Sequence, residues 1–369
     1  MQCAFSAGLR VGHVVVHGGT RLSTPGCLIY TRCGAVPHLV HDLWKEDEHV
    51  SPFVQMSLSS TYEHPGLDVV KAYGKGINAF SSLNDFTSFC FVQDPIQPQK
   101  IGYNEEKTVS IWTVSGRQKL TILGHLDVIE AFRPDWFQAL CDTVHDSSIS
   151  LKRVQKSVNR TLRYLDETLI EQQKRKPLET CTVFGSVEGA GTLSERLRSA
   201  SETAKRPVGG FILEGFNFDN SFEGQLDILG QTVACLPAEK PRILPGPISI
   251  ECILDCVERG VDIFDSSYAY QLTEKGIALN LYPQNEQNSE SREKKLLDLT
   301  DRQYSDNMTL LFEGYSLAYI HHLLTVKEML GSVILMRHNL RQYLKFFHNL
   351  RRAIQNDDYQ RFRLNLINT

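Results

Sequence analysis

Two kinds of hydrophobic pattern alternate along this chain. One is a short, nearly continuous apolar run. The other is a segment whose apolar residues return every three or four positions. The first reads as a buried strand and the second as an amphipathic helix. Strands are expected at 27–30, 53–58, 136–140, 181–187, 208–213, 242–244 and 261–264. The clearest helix begins at Ser150, where Leu151, Val154, Val158, Leu162, Leu165 and Leu169 form one stripe and Lys152, Arg153, Lys156, Arg160 and Arg163 form the opposite face. Further helices are expected over 193–205, 222–235 and 249–259, the last stopped by Gly260.

From 150 to 265 helix and strand therefore alternate, with a period of roughly 25–35 residues. That is the rhythm of a parallel α/β fold. It suits an eight-fold barrel and an open doubly wound sheet alike, although no Gly-x-Gly-x-x-Gly follows a strand. Two runs around Ser115-Gly-Arg-Gln read as a hairpin outside the parallel sheet. The stretch 283–306 is strongly polar and reads as a solvated linker. Beyond it, 317–324 and 326–335 are helix-compatible, and a C-terminal helix carries Leu340, Leu344, Phe347 and Ile354. Arg341, Lys345, Arg351 and Arg352 lie near its other face, where a solvated surface and a tRNA-backbone contact are both open readings.

The strand at 261–264 ends against Asp265. In a β/α barrel the reacting groups stand at the C-terminal ends of strands, so a carboxylate there is a candidate nucleophile or base. An Asp capping the next element fits the same position.

Composition narrows the class. The 369 residues are 41% apolar and 22% charged, which is ordinary globular usage with ample material for a core. A net charge of −4 argues against a general polyanion binder but leaves room for a local basic face. No run of 18 apolar residues exists, so no membrane span is expected, and the first ten residues lack a secretory pattern. Cysteines stand at 3, 27, 33, 90, 141, 181, 235, 252 and 256, an odd count without a Cys-x-x-Cys pair. Free thiols in a reducing compartment are expected, with Cys252 and Cys256 as small core residues.

Several segments resemble the tRNA-guanine transglycosylase family, and within it the accessory, non-catalytic members. They are Thr24-Pro-Gly-Cys-Leu-Ile-Tyr-Thr31, Pro134-Asp-Trp-Phe-Gln138, Leu151-Lys-Arg-Val-Gln-Lys-Ser-Val158, the long run from Glu195 through Arg206-Pro-Val-Gly-Gly-Phe211, Tyr268-Ala-Tyr-Gln-Leu-Thr-Glu274 and Ala318-Tyr-Ile-His-His-Leu323. Arg259-Gly-Val-Asp-Ile-Phe-Asp265 resembles the family's nucleophile strand. The resemblance implies a (β/α)8 TIM-type barrel over 1–369. It implies a zinc-binding subdomain, here degenerate, at 283–339 and a C-terminal helix at 340–369.

The resemblance also implies what is missing. Catalytic members carry an acid in Asp-Ser-Gly-Gly-Phe-Gln, and the matching region here is Tyr30-Thr-Arg-Cys-Gly-Ala35. Where they recognise the base with an Asp, this chain has Cys141 followed by Asp142. Where they have Gln, it has Glu188, and the glycine pair survives as Gly209-Gly210. Asp265 stays in the nucleophile position, so the expected catalytic set is empty apart from this vestige. The family's zinc ligands are three Cys of a Cys-x-Cys-x-x-Cys pattern and one His; here only His338 matches, and no cysteine follows 256. Zn2+ is thus a cofactor by resemblance whose thiolates are absent, and one imidazole alone does not hold it tightly. His321 and His322 read as helix-packing residues.

The function the resemblance implies is support of guanine-to-queuine exchange at the wobble position of tRNAs with GU(N) anticodons. The activity would reside in a catalytic partner subunit. The implied assembly is a heterodimer with that subunit, with tRNA as a further partner and a homodimer when the chain is alone. The implied location is the cytoplasm, with peripheral association at the mitochondrial outer membrane. The competing reading is an active transglycosylase using Asp265 as nucleophile.

Overall fold

The computed structural model describes residues 4–6, 8–16, 19–97, 103–144, 149–216, 222–282 and 294–367. It divides into two units, one built from 1–34 and 52–265, the other from 35–51 and 266–369.

The first unit is a closed barrel of eight parallel strands. They are β1 (Gly26–Tyr30), β2 (Phe53–Ser57), β3 (Thr87–Phe91), β4 (Trp136–Gln138), β5 (Thr182–Val187), β6 (Phe211–Leu213), β7 (Arg242–Ile243) and β8 (Ile263–Asp265). Each pairs with the next, and β8 closes on β1 with Asp265 opposite Leu28. The closure decides between the two parallel folds that periodicity leaves open. Strand β3 was not expected, because Thr87-Ser-Phe-Cys-Phe91 is short and carries two polar residues, although Asn84-Asp85 and Asp94-Pro95 bracket it with turn residues.

Helices cover the barrel: α1 (Leu67–Tyr73), α2 (Ile122–Phe132), α3 (Leu151–Gln173), α4 (Leu193–Ala204), α5 (Phe222–Ala234) and α6 (Ile250–Glu258). Ser249 caps α6 by accepting from the backbone N–H of Cys252, and Gly260 follows with positive φ, as the C-terminal stop requires. The expected hairpin is present as Thr108–Thr113 paired antiparallel with Gly116–Thr121. An unforeseen three-stranded sheet (Ala4–Ser6, Leu9–Val15, Arg21–Thr24) precedes the barrel.

The barrel interior follows from the two-residue period of a strand. One residue from each strand (Leu28, Phe53, Phe89, Trp136, Phe184, Ile212, Ile243 and Ile263), and a second, Phe91, from β3, joins a single buried apolar cluster. Val16, just past the second strand of the first sheet, and Leu22 of its third strand complete it. Trp136 lies 5.0 Å from Phe53 and 5.0 Å from Phe184, ring centre to ring centre. Two residues further along the same strand faces stand Tyr30, Gln55, Gln138, Ser186, Glu214 and Asp265, all buried. The barrel is therefore apolar below and carries a polar tier at the carboxyl ends of its strands.

The second unit holds α7 (Ser267–Glu274), then β9 (Ile277–Leu279) paired antiparallel with β10 (Leu296–Asp298). A tight hairpin of β11 (Leu310–Phe312) and β12 (Tyr315–Ser316) leads into α8 (Leu317–Thr325) and the long α9 (Met329–Gln355). Of the expected polar linker, 283–293 lies outside the described residues. The remainder is not a linker: Leu299 and Tyr304 belong to the core of this unit, together with Leu311, Phe312, Ile320 and Leu335. Helix α9 runs unbroken through 339 and 340.

Candidate functional site

The polar tier is built by strand ends and the loops that follow them. At the end of β1, the Tyr30 hydroxyl donates to both carboxylate oxygens of Asp94, at 2.9 and 3.0 Å. Burial, then the charge of Asp94, raises the phenol far above its ordinary range, so it stays a neutral donor. Arg32 stands 3.6 Å from the same carboxylate. At the end of β4, Gln138 accepts from the backbone N–H of Val92 at 2.9 Å and donates to Ser186 (3.0 Å) and Glu214 (2.6 Å). At the end of β8, Asp265 is 1% exposed and accepts from the backbone N–H of Gly246 at 2.8 Å.

A second layer lies just above. Thr143 donates to Oε1 of Glu188 at 2.8 Å and sits 3.2 Å from the Cys141 thiol. Burial, reinforced by the charge of Glu214, pushes the Glu188 carboxyl up to about 8, so it is protonated at neutral pH. Burial also raises the Cys141 thiol well above its usual range, which leaves it unreactive. Arg196 is fully buried and donates to the carbonyls of Ala190 (2.8 Å), Val187 (2.9 Å) and Glu214 (2.5 Å), with Phe216 stacked 4.0 Å beneath its guanidinium. Gly189 makes room for it. Its φ is +138°, and a Cβ there would lie 2.6 Å from the Arg196 nitrogen.

Chemically, the tier offers one carboxylate, Asp265, at a strand end. Every acid of the site has a partner: Asp265 the N–H of Gly246, Glu214 Gln138, Asp94 Tyr30 and Glu188 Thr143. Base exchange at a ribose carbon asks for a nucleophile, a proton shuttle and free acceptors for the base. The matching region for the shuttle, Tyr30 to Ala35, contains no carboxylate.

The family follows from the whole chain. The sequence model described as Queuine tRNA-ribosyltransferase matches residues 4–369. The chain belongs to the queuine tRNA-ribosyltransferase family. It is 37% identical to "Queuine tRNA-ribosyltransferase accessory subunit 2" of Homo sapiens over 95% of this chain and 94% of that protein. It is 38% identical to the protein of the same name in Danio rerio over 94% of this chain and 92% of that protein. A third, from Trichoplax adhaerens, is 38% identical over 98% of this chain and 95% of its own length.

The other expected positions of the queuine tRNA-ribosyltransferase family fall out as follows. Asp142 is turned away from the tier and pairs with Arg153 (2.7 Å) and Arg160 (3.2 Å) of α3. The basic face of α3 is thus partly internal, since Arg160 is buried and also meets Glu106 at 2.9 Å. The Gly209-Gly210 pair serves packing between strands: a Cβ on Gly210 would lie 2.3 Å from Phe184 and 2.8 Å from the carbonyl of Pro241. His321 bonds the carbonyl of Leu299 at 2.9 Å as a packing residue, but His322 is exposed, which corrects its expected role.

In the second unit, His338 is buried, 2.8 Å from the carbonyl of Leu279 and edge-on to Phe312 at 5.7 Å. No set of three His, Cys, Asp or Glu suited to a metal occurs among the described residues. With no cysteine after 256, the donors near His338 do not fit a closed site of three thiolates and an imidazole. No helix among the described residues is long and apolar enough to cross a membrane.

Gln138, Glu214 and Asp94 were not foreseen as members of the site. The signal existed. Each of Tyr30, Gln138 and Glu214 stands two positions beyond an inward apolar residue of a short strand, at its last residue or, for Glu214, one residue past it.

Proposed function

We propose that this chain is the non-catalytic subunit of a queuine tRNA-ribosyltransferase. In this reading it pairs with a catalytic subunit and supports exchange of guanine for queuine at the wobble position of tRNAs with GU(N) anticodons. The observation that carries the reading is the commitment of four side chains of the site to one another. Gln138, Glu214, Glu188 and Cys141 bond within one buried network, while the Gln55 amide and Oε2 of Glu188 have no hydrogen-bond partner among the described residues. A site lacking its polar partners loses discrimination between bases by orders of magnitude. Asp265 is then the family's nucleophile position kept without its partners, and the barrel is a scaffold for pairing and for tRNA. The segment 283–339 is the degenerate counterpart of the family's zinc subdomain. The setting is the cytoplasm, including the outer face of mitochondria, reached through the partner. Without the partner the chain forms a homodimer.

Reconstitution tests this. The purified chain, tRNA and labelled queuine should give no incorporation, and adding the catalytic subunit should give incorporation above that of the catalytic subunit alone. Exchange by the lone chain would establish instead the active-enzyme reading that the retained Asp265 favours, and a tRNA adduct lost in Asp265→Asn would identify the nucleophile.

A further inference from the structure

Strand β9 has two edges, and they are satisfied in different ways. One edge pairs with β10, with Ala278 opposite Leu297 and the N–H of Asn280 donating to the carbonyl of Lys295 at 2.7 Å. In a two-stranded sheet the other edge would be bare. Here it meets side chains of α9. The N–H of Leu279 donates to Oδ1 of Asn339 at 2.8 Å, and the carbonyl of Leu279 accepts from Nε2 of His338 at 2.8 Å. The carbonyl of Ile277 accepts from Nδ2 of Asn339 at 2.9 Å, and the N–H of Tyr282 donates to Gln342 at 3.1 Å. Two side chains of one helix thus stand in for a third strand, and Gln342 continues the pattern at Tyr282 beyond it.

The bond from His338 to a carbonyl does not by itself speak against a metal, since ligand histidines also tether their second nitrogen that way. The surrounding groups decide. The ring faces Phe312, and Phe312 sits in an apolar core with Leu311, Leu317, Ile320 and Leu335. The chain between Phe312 and Tyr315 is a two-residue turn, with φ of +45° at Glu313 and +88° at Gly314. Neither turn residue is a thiol, and a turn this short offers no loop to wrap an ion.

We propose that this unit folds without a metal, held by its apolar core and by a clamp of His338 and Asn339 on the free edge of β9, continued by Gln342 on Tyr282 just beyond the strand. The proposal uses the family reading only for the expectation of zinc. It is independent of the accessory role, which stands or falls on exchange activity.

The test uses the full chain, expressed alone. Metal analysis after dialysis should find zinc far below one atom per chain, and EDTA should leave the thermal midpoint unchanged. His338→Gln, which keeps an N–H donor for Leu279, should retain most of the midpoint, while His338→Ala and Asn339→Ala should lower it by several degrees. One zinc per chain, or a midpoint that drops with EDTA and recovers on adding zinc, would overturn the proposal. Equal losses in the Gln and Ala variants of His338 would overturn the clamp. If the alanine variants fail to fold, the metal content and EDTA response of the natural chain still decide.

Discussion

Gln138 and Glu214, 76 residues apart in sequence, are joined by a buried hydrogen bond of 2.6 Å that spans from β4 to β6 above β5. The amide of Gln138 also holds Ser186 on β5 and the backbone of Val92 after β3, so one side chain ties four strand ends together. Gln138→Leu fits the volume but orphans all of these groups. Each unmet buried group costs about 1–3 kcal/mol, so a loss of roughly 3 kcal/mol in urea unfolding is expected. A loss under about 0.5 kcal/mol, the scale of a surface change, would mean that the network does not hold the barrel top.

Glu188, beside Glu214 whose carboxyl burial raises as well, gives the stability a pH dependence of one expected sign. Its folded carboxyl titrates at about 8, above the ordinary value of 4.5, chiefly because burial penalises the charge. Between these values the native state binds more protons than the unfolded chain, so stability falls as pH rises. The contribution is fully present below the unfolded value and is gone above about 8. One proton gives a slope of at most about 1.4 kcal/mol per pH unit. Glu188→Gln removes the titration and keeps an oxygen for Thr143. Denaturation at several pH values should show the variant gaining on the natural chain as pH rises from 5 to 8; a constant difference would refute the assignment.

How much of this could be read from the chain depended on how local each signal was. Asp265 was legible, because Val261-Asp-Ile-Phe-Asp265 is a strand that ends on its own acid. Helix α3 was legible because its stripe repeats over several turns, yet its cationic face misled: Arg160 looks solvated until Asp142 is brought beneath it. The tier was hidden because Tyr30, Gln138, Glu214 and Asp265 come from four strands that adjoin only once the barrel closes. Strand β3 was missed because Thr87-Ser-Phe-Cys-Phe91 is short and carries two polar residues, despite the turn residues on both sides, and the core role of Leu299 and Tyr304 was masked by their polar neighbours.

The glycine pair before β6 makes a packing prediction. At Gly210 an added Cβ meets a buried ring carbon of Phe184 at 2.3 Å and backbone at 2.8 Å, and neither can yield without moving a strand. Gly210→Ala should therefore destabilise by about 1–3 kcal/mol, as overpacking does. Gly224→Ala, in α5 with open space around its Cβ, is the control and should be neutral to stabilising by up to about 1 kcal/mol. Equal effects in chemical denaturation would contradict the close approach.

Arg10 and Asp262 pair in a buried position, and Arg10 reaches on to the carbonyl of Ala238 at 2.6 Å. The pair ties the amino-terminal sheet to the chain entering β8. Arg10→Met leaves the buried carboxylate with only Arg242 to compensate it, through a backbone N–H at 2.8 Å and a guanidinium at 4.0 Å, and should cost up to about 3 kcal/mol. Adding Asp262→Asn should restore part of that loss, because it removes the stranded charge. A double variant as unstable as the sum of the singles would show that the two residues do not interact.

Asp265 separates the scaffold reading from the enzyme reading most directly. It sits where a nucleophile would, but its carboxylate is buried and receives the N–H of Gly246 at 2.8 Å. Asp265→Asn keeps an oxygen for that bond and removes the nucleophile. If the acid only braces the loop after β7, queuine incorporation by the reconstituted complex should stay within about twofold of the natural pair, a difference of under about 0.5 kcal/mol in activation free energy. Loss of a reacting carboxylate would instead lower the rate by several orders of magnitude. Asp265→Ala gives the complementary measurement. It should lower the thermal midpoint while leaving incorporation intact at temperatures where the chain stays folded, a split that a reacting group cannot produce.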